Sequence, residues 1–154
     1  LIRHWCSVRS LGLGVVVQMP PLTHAPEIRM PRASFPSFCN TVKDVAGARI
    51  GIVCAGTSRY AVEESCDQLS REYGVDASWL RLRAYPFTEE LNNFIDRHER
   101  VYIVDQNRDA QLLLLMRLDL DPNRVSRLRS VRYFGGMPMD ARTVTDDIIR
   151  QEEI

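Results

Sequence analysis

From Ala48 onward the chain alternates between apolar runs of strand length and stripes of helical period. Arg49 to Ala55, RIGIVCA, is a short apolar run that stops at Gly56-Thr57-Ser58, a tight turn and candidate helix cap. Val62, Cys66, Leu69 and Tyr73 then recur at helical spacing, with Glu63, Glu64, Asp67 and Arg71 off the stripe and Gly74 as a C-terminal stop. Asp76 to Leu82 reads as a second strand. Pro86 and Thr88 open a helix whose buried face is Leu91, Phe94, Ile95 and part of His98. Val101 to Val104 is a third strand, followed by a helix over Ala110 to Leu118 whose LLLLM run predicts burial around much of its circumference. Asp121-Pro122 marks a short helical turn, Leu128 to Tyr133 a fourth strand, and Asp140 the cap of a last helix carrying Thr143, Val144, Ile148 and Ile149.

Strand and helix in alternation predict an α/β fold with a mainly parallel sheet and flanking helices, because right-handed crossovers lay successive strands in one direction. Residues 1–44 differ in texture. Pro20, Pro21, Pro26, Pro31 and Pro36 interrupt any sustained period, so this segment reads as irregular and the α/β domain as residues 45–154. The apolar run Leu11 to Val17, behind Arg3 and Arg9, is too short for a membrane span and lacks a small-residue cleavage site. The chain opens at Leu1 rather than at methionine, which suggests a fragment, an unusual start or an altered reading frame.

At 154 residues with 45% hydrophobic content, the chain has room for one domain plus a tail. Twenty basic residues offset twenty acidic ones, which removes any whole-chain electrostatic argument for nucleic acid or an anionic membrane as partner. Cys6, Cys39, Cys54 and Cys66 show no metal or redox spacing. They point to free thiols in a reducing, cytoplasmic setting, with no metal or iron–sulfur cluster bound by this chain.

In open parallel sheets, ligands and partners meet the carboxyl ends of the strands. Gly56-Thr57-Ser58, Tyr85-Pro86-Phe87, Asp105 to Asp109 and Gly135 to Pro138 all fall at that edge. Gly56, Thr57 and Ser58 are phosphate-loop candidates on free backbone amides, although neither G-x-G-x-x-G nor a Walker lysine is present, and a turn with a cap is the simpler reading. Asp105 stands where α/β enzymes often place catalytic or metal-binding acids, but Arg108 lies between it and Asp109 and opposes a dication. Asp109 reads as the cap of the helix at Ala110, and Asn107 as a turn residue. Gln106 and Arg108 suit recognition of a partner's backbone or carboxylate. His98 is expected at a solvated helix end, on the opposite edge from Cys54 and Ser58, which leaves no catalytic triad. Trp79, Tyr85 and Phe87 read as packing or interface aromatics. No complete active site emerges, and the interface candidates are Tyr85, Phe87, Asp105, Gln106, Asn107 and Arg108.

The blocks RIGIVCAGTSRYAVEES, LRLRAYPFTEEL, VYIVDQNRDAQL and RYFGGMP, in this order and spacing, resemble the C-terminal domain of the alpha subunit of 2-oxoacid:acceptor oxidoreductases, over roughly Ala48 to Ile149. The resemblance implies a transketolase C-terminal-like α/β unit. It further implies a parent complex that decarboxylates a 2-oxoacid on thiamine diphosphate with Mg²⁺, forms an acyl-coenzyme A, and passes electrons through iron–sulfur clusters to ferredoxin. In such a complex the thiamine-binding beta subunit and the remaining alpha-subunit domains are the partners. The family's upstream domains are not recognisable here, and Asp105 stands where the family often has glutamate. The rival reading is a non-catalytic α/β binding or regulatory module derived from that subunit. A small phosphate-ligand enzyme using Gly56 to Ser58 is a third.

Overall fold

The structure, a computed structural model, describes residues 40–154. The proline-rich stretch through Pro36, the run Leu11 to Val17, Cys6 and Cys39 lie outside the described residues. The elements are β1 (Thr41–Lys43), β2 (Ile50–Ala55), α1 (Arg59–Tyr73), β3 (Ala77–Leu82), α2 (Glu89–Arg97), β4 (Arg100–Asp105), α3 (Gln111–Asp119), α4 (Pro122–Arg127), β5 (Leu128–Arg132) and α5 (Ala141–Glu152). They build a five-stranded sheet in the order β1-β3-β2-β4-β5. Strands β2 to β5 pair in parallel, and β1 alone runs antiparallel, Thr41 opposite Arg81 and Lys43 opposite Trp79. The α/β architecture expected from the alternating pattern is therefore present. The antiparallel edge strand is an addition to it, since Thr41–Lys43 fell within the segment read as irregular. Three residues are too few to show a period, and they hold position by pairing with β3.

Alternate side chains of the central strands feed two cores. Ile50, Ile52, Cys54, Trp79, Tyr102 and Val104 face α1 and α5, while Val53, Leu80, Leu82, Val101 and Ile103 face α2 and α3. Burial on both faces is why the strands read as continuous apolar runs. Asp121 and Asp140 cap α4 and α5 as expected, Asp140 accepting from the Thr143 amide at 2.7 Å. None of the described helices is long and apolar enough to cross a membrane.

Two helix faces depart from expectation. Only Leu113 and Met116 of α3 are buried, and Leu114 and Leu118 are exposed, so the LLLLM helix is covered on one side only. Tyr73, placed on the buried stripe of α1, is 38% exposed, because the stripe turns outward in the last turn. A polar contact stitches α1 to α5 instead: Ser65 and Thr145 share a buried hydrogen bond of 2.9 Å. At the far end of α5, Glu152 accepts from the Tyr102 hydroxyl at 2.5 Å and pairs with Arg100 at 3.0 Å.

His98 corrects the expectation of a solvated helix end. It is buried, its ring 4.5 Å from that of Phe94, with Nδ1 2.7 Å from the Phe94 carbonyl oxygen. A carbonyl only accepts, so Nδ1 carries the proton. The room comes from Gly51 on the facing strand. A Cβ there would meet Phe94 at 2.8 Å and His98 at 3.0 Å. Gly51→Ala is accordingly expected to destabilise the protein by about 1–3 kcal/mol, measured by urea unfolding, since overpacking of a filled interface has that cost.

Cys54 and Cys66 are buried, and burial pushes both thiols from 9.0 up to about 12, against the pull of Arg81 on Cys54 and of Lys43 on Cys66. Both folded values lie above the unfolded one, so their contribution to stability is complete below pH 9.0 and is lost as pH rises toward about 12. In a Cys6→Ser, Cys39→Ser variant, no thiol should react with a disulfide reagent near about pH 8 until denaturant is added. Rapid labelling of the folded protein would contradict this burial.

Candidate functional site

The strand order places the crossing point of the fold between β2 and β4, where the chain leaves β2 in one direction and returns on its other side. A crevice at the carboxyl ends of these two strands is where parallel sheets bind ligands. Gly56–Ser58 and the Asp105 to Asp109 cluster flank it. What those groups touch decides what the crevice can hold.

Gly56–Ser58 forms a single 3-10 turn running directly into α1, with Gly56 at φ +61°. Ser58 does not cap α1, contrary to the expectation. Its hydroxyl donates back to the Ala55 carbonyl at 2.6 Å, because its backbone is already helical (φ −62°, ψ −11°) and directs the side chain away from the following amides.

The β4 cluster is organised by Asp105. This residue is only 7% exposed, and its Oδ2 accepts from the backbone amides of Leu112 at 3.0 Å and Leu113 at 3.3 Å. Its Oδ1 accepts from Asn107 Nδ2 at 2.9 Å. Asn107 Oδ1 accepts in turn from the amides of Asp109 at 3.1 Å and Gln111 at 3.2 Å. Asp105 and Asn107 therefore cap α3, which corrects the assignment of that role to Asp109. The Asp109 carboxylate faces the solvent and pairs with Arg108 at 3.0 Å. The helix begins at Gln111 rather than at Ala110, because Ala110 adopts a left-handed conformation (φ 51°, ψ 52°) that turns the first amides of α3 back toward the end of β4.

Burial pushes the Asp105 carboxyl above the usual carboxylate range, while the Leu113 and Leu112 amides and Asn107 pull it back. The amides that could have held a phosphate at α3 are thus already occupied by the chain's own carboxylate. Nor is a metal centre formed: no three His, Cys, Asp or Glu side chains converge among the described residues.

The remaining expected residues fall as follows. Gln106 Nε2 donates to the Met137 carbonyl at 3.0 Å, joining the β4 exit to the Gly135 to Pro138 loop. Arg132 donates to the Arg108 carbonyl at 3.3 Å, and the Tyr133 amide to the Asp105 carbonyl at 3.1 Å. Tyr85 and Phe87 stack edge to face at 5.3 Å across a cis Tyr85-Pro86 bond, Tyr85 exposed and Phe87 leaning on the core. Trp79 is buried core, with the Arg59 guanidinium 5.7 Å from its ring centre. The residues that sequence reasoning missed are Tyr60, in the first turn of α1, and Phe134 and Met137, in the loop that follows β5, large apolar side chains that all stand exposed. Their signal was available, since Tyr60 lies off the buried stripe of α1 and the other two lie outside any helical or strand period.

The class these features define is an α/β domain with a mainly parallel sheet, whose strand-end rim is braced by its own polar groups. Its fold is that of a known enzyme component. A 2-oxoglutarate:ferredoxin oxidoreductase from Magnetococcus marinus, solved with 2-oxoglutarate, coenzyme A and succinyl-CoA bound, matches with a TM-score of 0.63 at 19% identity, over 73% of this chain and 19% of that one. This chain thus spans about a fifth of the length of that protein, and at such identity the likeness establishes the fold. The alpha chain of a probable 2-oxoacid ferredoxin oxidoreductase from Thermoplasma acidophilum also matches at 19% identity, covering 75% of this chain and 97% of that one, with a TM-score of 0.47. No protein-family model and no curated protein matches the chain.

The capping assignment is testable. Asp105→Ala leaves two α3 amides without their acceptor and is expected to cost about 2–3 kcal/mol in chemical denaturation. Asp109→Ala should change stability by less than about 0.5 kcal/mol, as for other exposed positions. The reverse order of these two effects would return the cap to Asp109.

Proposed function

We propose that this chain is a fragment or truncated form of the alpha subunit of a thiamine-dependent 2-oxoacid:ferredoxin oxidoreductase. In this reading the domain at residues 45–154 docks other domains or subunits and performs no chemistry itself. The observation that carries the reading is the cluster from Asp105 to Asp109. Its reactive-looking groups are consumed in capping α3 and bracing loops, while Arg108 stands 75% exposed at the strand-end rim. The four sequence blocks named above and the shared fold support the family assignment.

The cofactors of such a complex are thiamine diphosphate, Mg²⁺, iron–sulfur clusters and coenzyme A. The described residues fit none of the first three. They provide no converging metal ligands, their two thiols are buried and held protonated, and the α3 amides are already bonded to Asp105 and Asn107. The diphosphate, metal and clusters are assigned to the thiamine-binding beta subunit and the remaining alpha-subunit domains. Ferredoxin enters at the level of the complex, and the setting is cytoplasmic. The rival, a non-catalytic module descended from that subunit, is favoured by the same absorption of polar groups into the fold, and it differs in one observable. Only the first reading yields 2-oxoacid-dependent viologen reduction once the purified chain is combined with the thiamine-binding subunit and the missing domains.

Arg108 is the point of attack. Arg108→Ala is expected to leave unfolding stability within about 0.5 kcal/mol, since the side chain is exposed and paired only with its neighbour. It should weaken co-assembly, read by sedimentation with the purified partner, by about 2–5 kcal/mol, the cost of losing a desolvated interfacial charge partner. Unchanged co-assembly would remove Arg108 from the interface.

A further inference from the structure

The two edges of the sheet carry their arginines differently. At the amino ends of the strands, Arg49 pairs with Glu99 at 2.8 Å, Arg97 with Asp44 at 3.2 Å and Arg100 with Glu152 at 3.0 Å. At the carboxyl ends, Arg81 and Arg83 lie at the exit of β3 and Arg132 at the exit of β5, and none has a carboxylate within 4.0 Å among the described residues. Arg81 Nε is buried without a hydrogen-bond acceptor among them. Four acids of this rim are already engaged: Asp105 caps α3, Asp140 caps α5, Asp109 pairs with Arg108 and Glu63 with Arg59. Glu89 and Glu90 sit in the first turn of α2, at the positive end of that helix.

The segments at the same strand ends also carry four large apolar side chains, Tyr60, Tyr85, Phe134 and Met137, each between 56% and 75% exposed. Exposed aromatics mixed with arginines are the composition of interaction hot spots. The exits of β3 and β5 are three strand spacings apart, or about 14 Å, so Arg83 and Arg132 outreach a single small anion. The neutral overall charge and pI near 7.0 lack the excess that a nucleic-acid surface requires.

Resting on the docking reading above, we infer that the strand-end rim binds a protein surface on which Asp or Glu side chains alternate with apolar residues. Its carboxylates would meet Arg83 and Arg132, bidentate geometry being what guanidinium offers. The apolar residues between them would cover Tyr60, Tyr85, Phe134 and Met137.

The test uses the full chain, a labelled peptide of alternating glutamate and leucine, the same peptide with glutamine for glutamate, and a single-stranded DNA oligonucleotide. Fluorescence anisotropy should show saturable, salt-sensitive binding of the acidic peptide, weaker by about tenfold or more for the glutamine peptide and for an Arg83→Gln, Arg132→Gln variant. Both arginines are solvent-facing, and a circular dichroism melt confirms that the variant is folded. Amide shifts caused by the peptide should fall at the exits of β2, β3 and β5. Equal binding by the variant, shifts elsewhere, or tighter binding of DNA would overturn the inference. If the double variant still assembles with the thiamine-binding subunit while Tyr85→Ala, Phe134→Ala does not, docking stands and the acidic partner falls. If neither variant changes an assembly that the wild type forms, the rim is not the docking surface, and both fall.

Discussion

The carboxylate of Asp105 is the contact on which the strand-end rim depends. It closes β4, caps α3 through the Leu112 and Leu113 amides, and orders Asn107, while its backbone carbonyl receives the Tyr133 amide from the exit of β5. A buried carboxylate is costly to ionise, so burial pushes the Asp105 carboxyl above the usual range. Three donated hydrogen bonds offset part of that cost. The left-handed turn at Ala110 belongs to the same device. A non-glycine residue persists there because the bonds on either side over-determine the loop.

This arrangement has a chemical consequence. The carboxyl ends of β2 and β4 are where the topology would place a ligand, yet the donors on the β4 side are satisfied internally and Ser58 is turned onto Ala55. An anion there would have to displace a carboxylate that the same amides already hold. Polar residues at a strand end thus signal a reactive site only if their hydrogen bonds remain unspent, and here they are spent on the fold.

The sequence made the strands and most helices legible because burial on both sheet faces leaves apolar runs of definite length, as in Ile50 to Cys54 and Val101 to Val104. The caps at Asp121 and Asp140 were equally legible, each acting on amides two or three residues ahead. The cap of α3 was not, because Asp105 reaches amides seven and eight residues on, across a turn whose sharpness depends on Ala110. His98 was misplaced for a similar reason. Its burial requires the missing side chain of Gly51, a residue almost fifty positions away that becomes a neighbour only through the pairing of β2 with β4. The leucine run of α3 misled in the opposite sense, since hydrophobicity all round predicts cover that this chain leaves off Leu114 and Leu118.

The contrast between the two sheet edges bears on what kind of function the domain has. An exposed ion pair stabilises a surface only slightly, so the paired arginines at the amino-terminal edge say little about folding. Their pairing does mean that this edge offers few uncommitted charges to a partner. At the opposite edge, capping and pairing engage Asp105, Asp109, Asp140 and Glu63, and leave Arg83 and Arg132 without a carboxylate partner among the described residues, on a rim that also exposes Tyr60, Tyr85, Phe134 and Met137. Catalysis needs a nucleophile or base within reach of a positioned substrate, whereas recognition needs rigid, uncommitted groups on a braced surface. The bonds that empty the rim of catalytic candidates are the same ones that make it stiff, and stiffness lowers the ordering cost of binding.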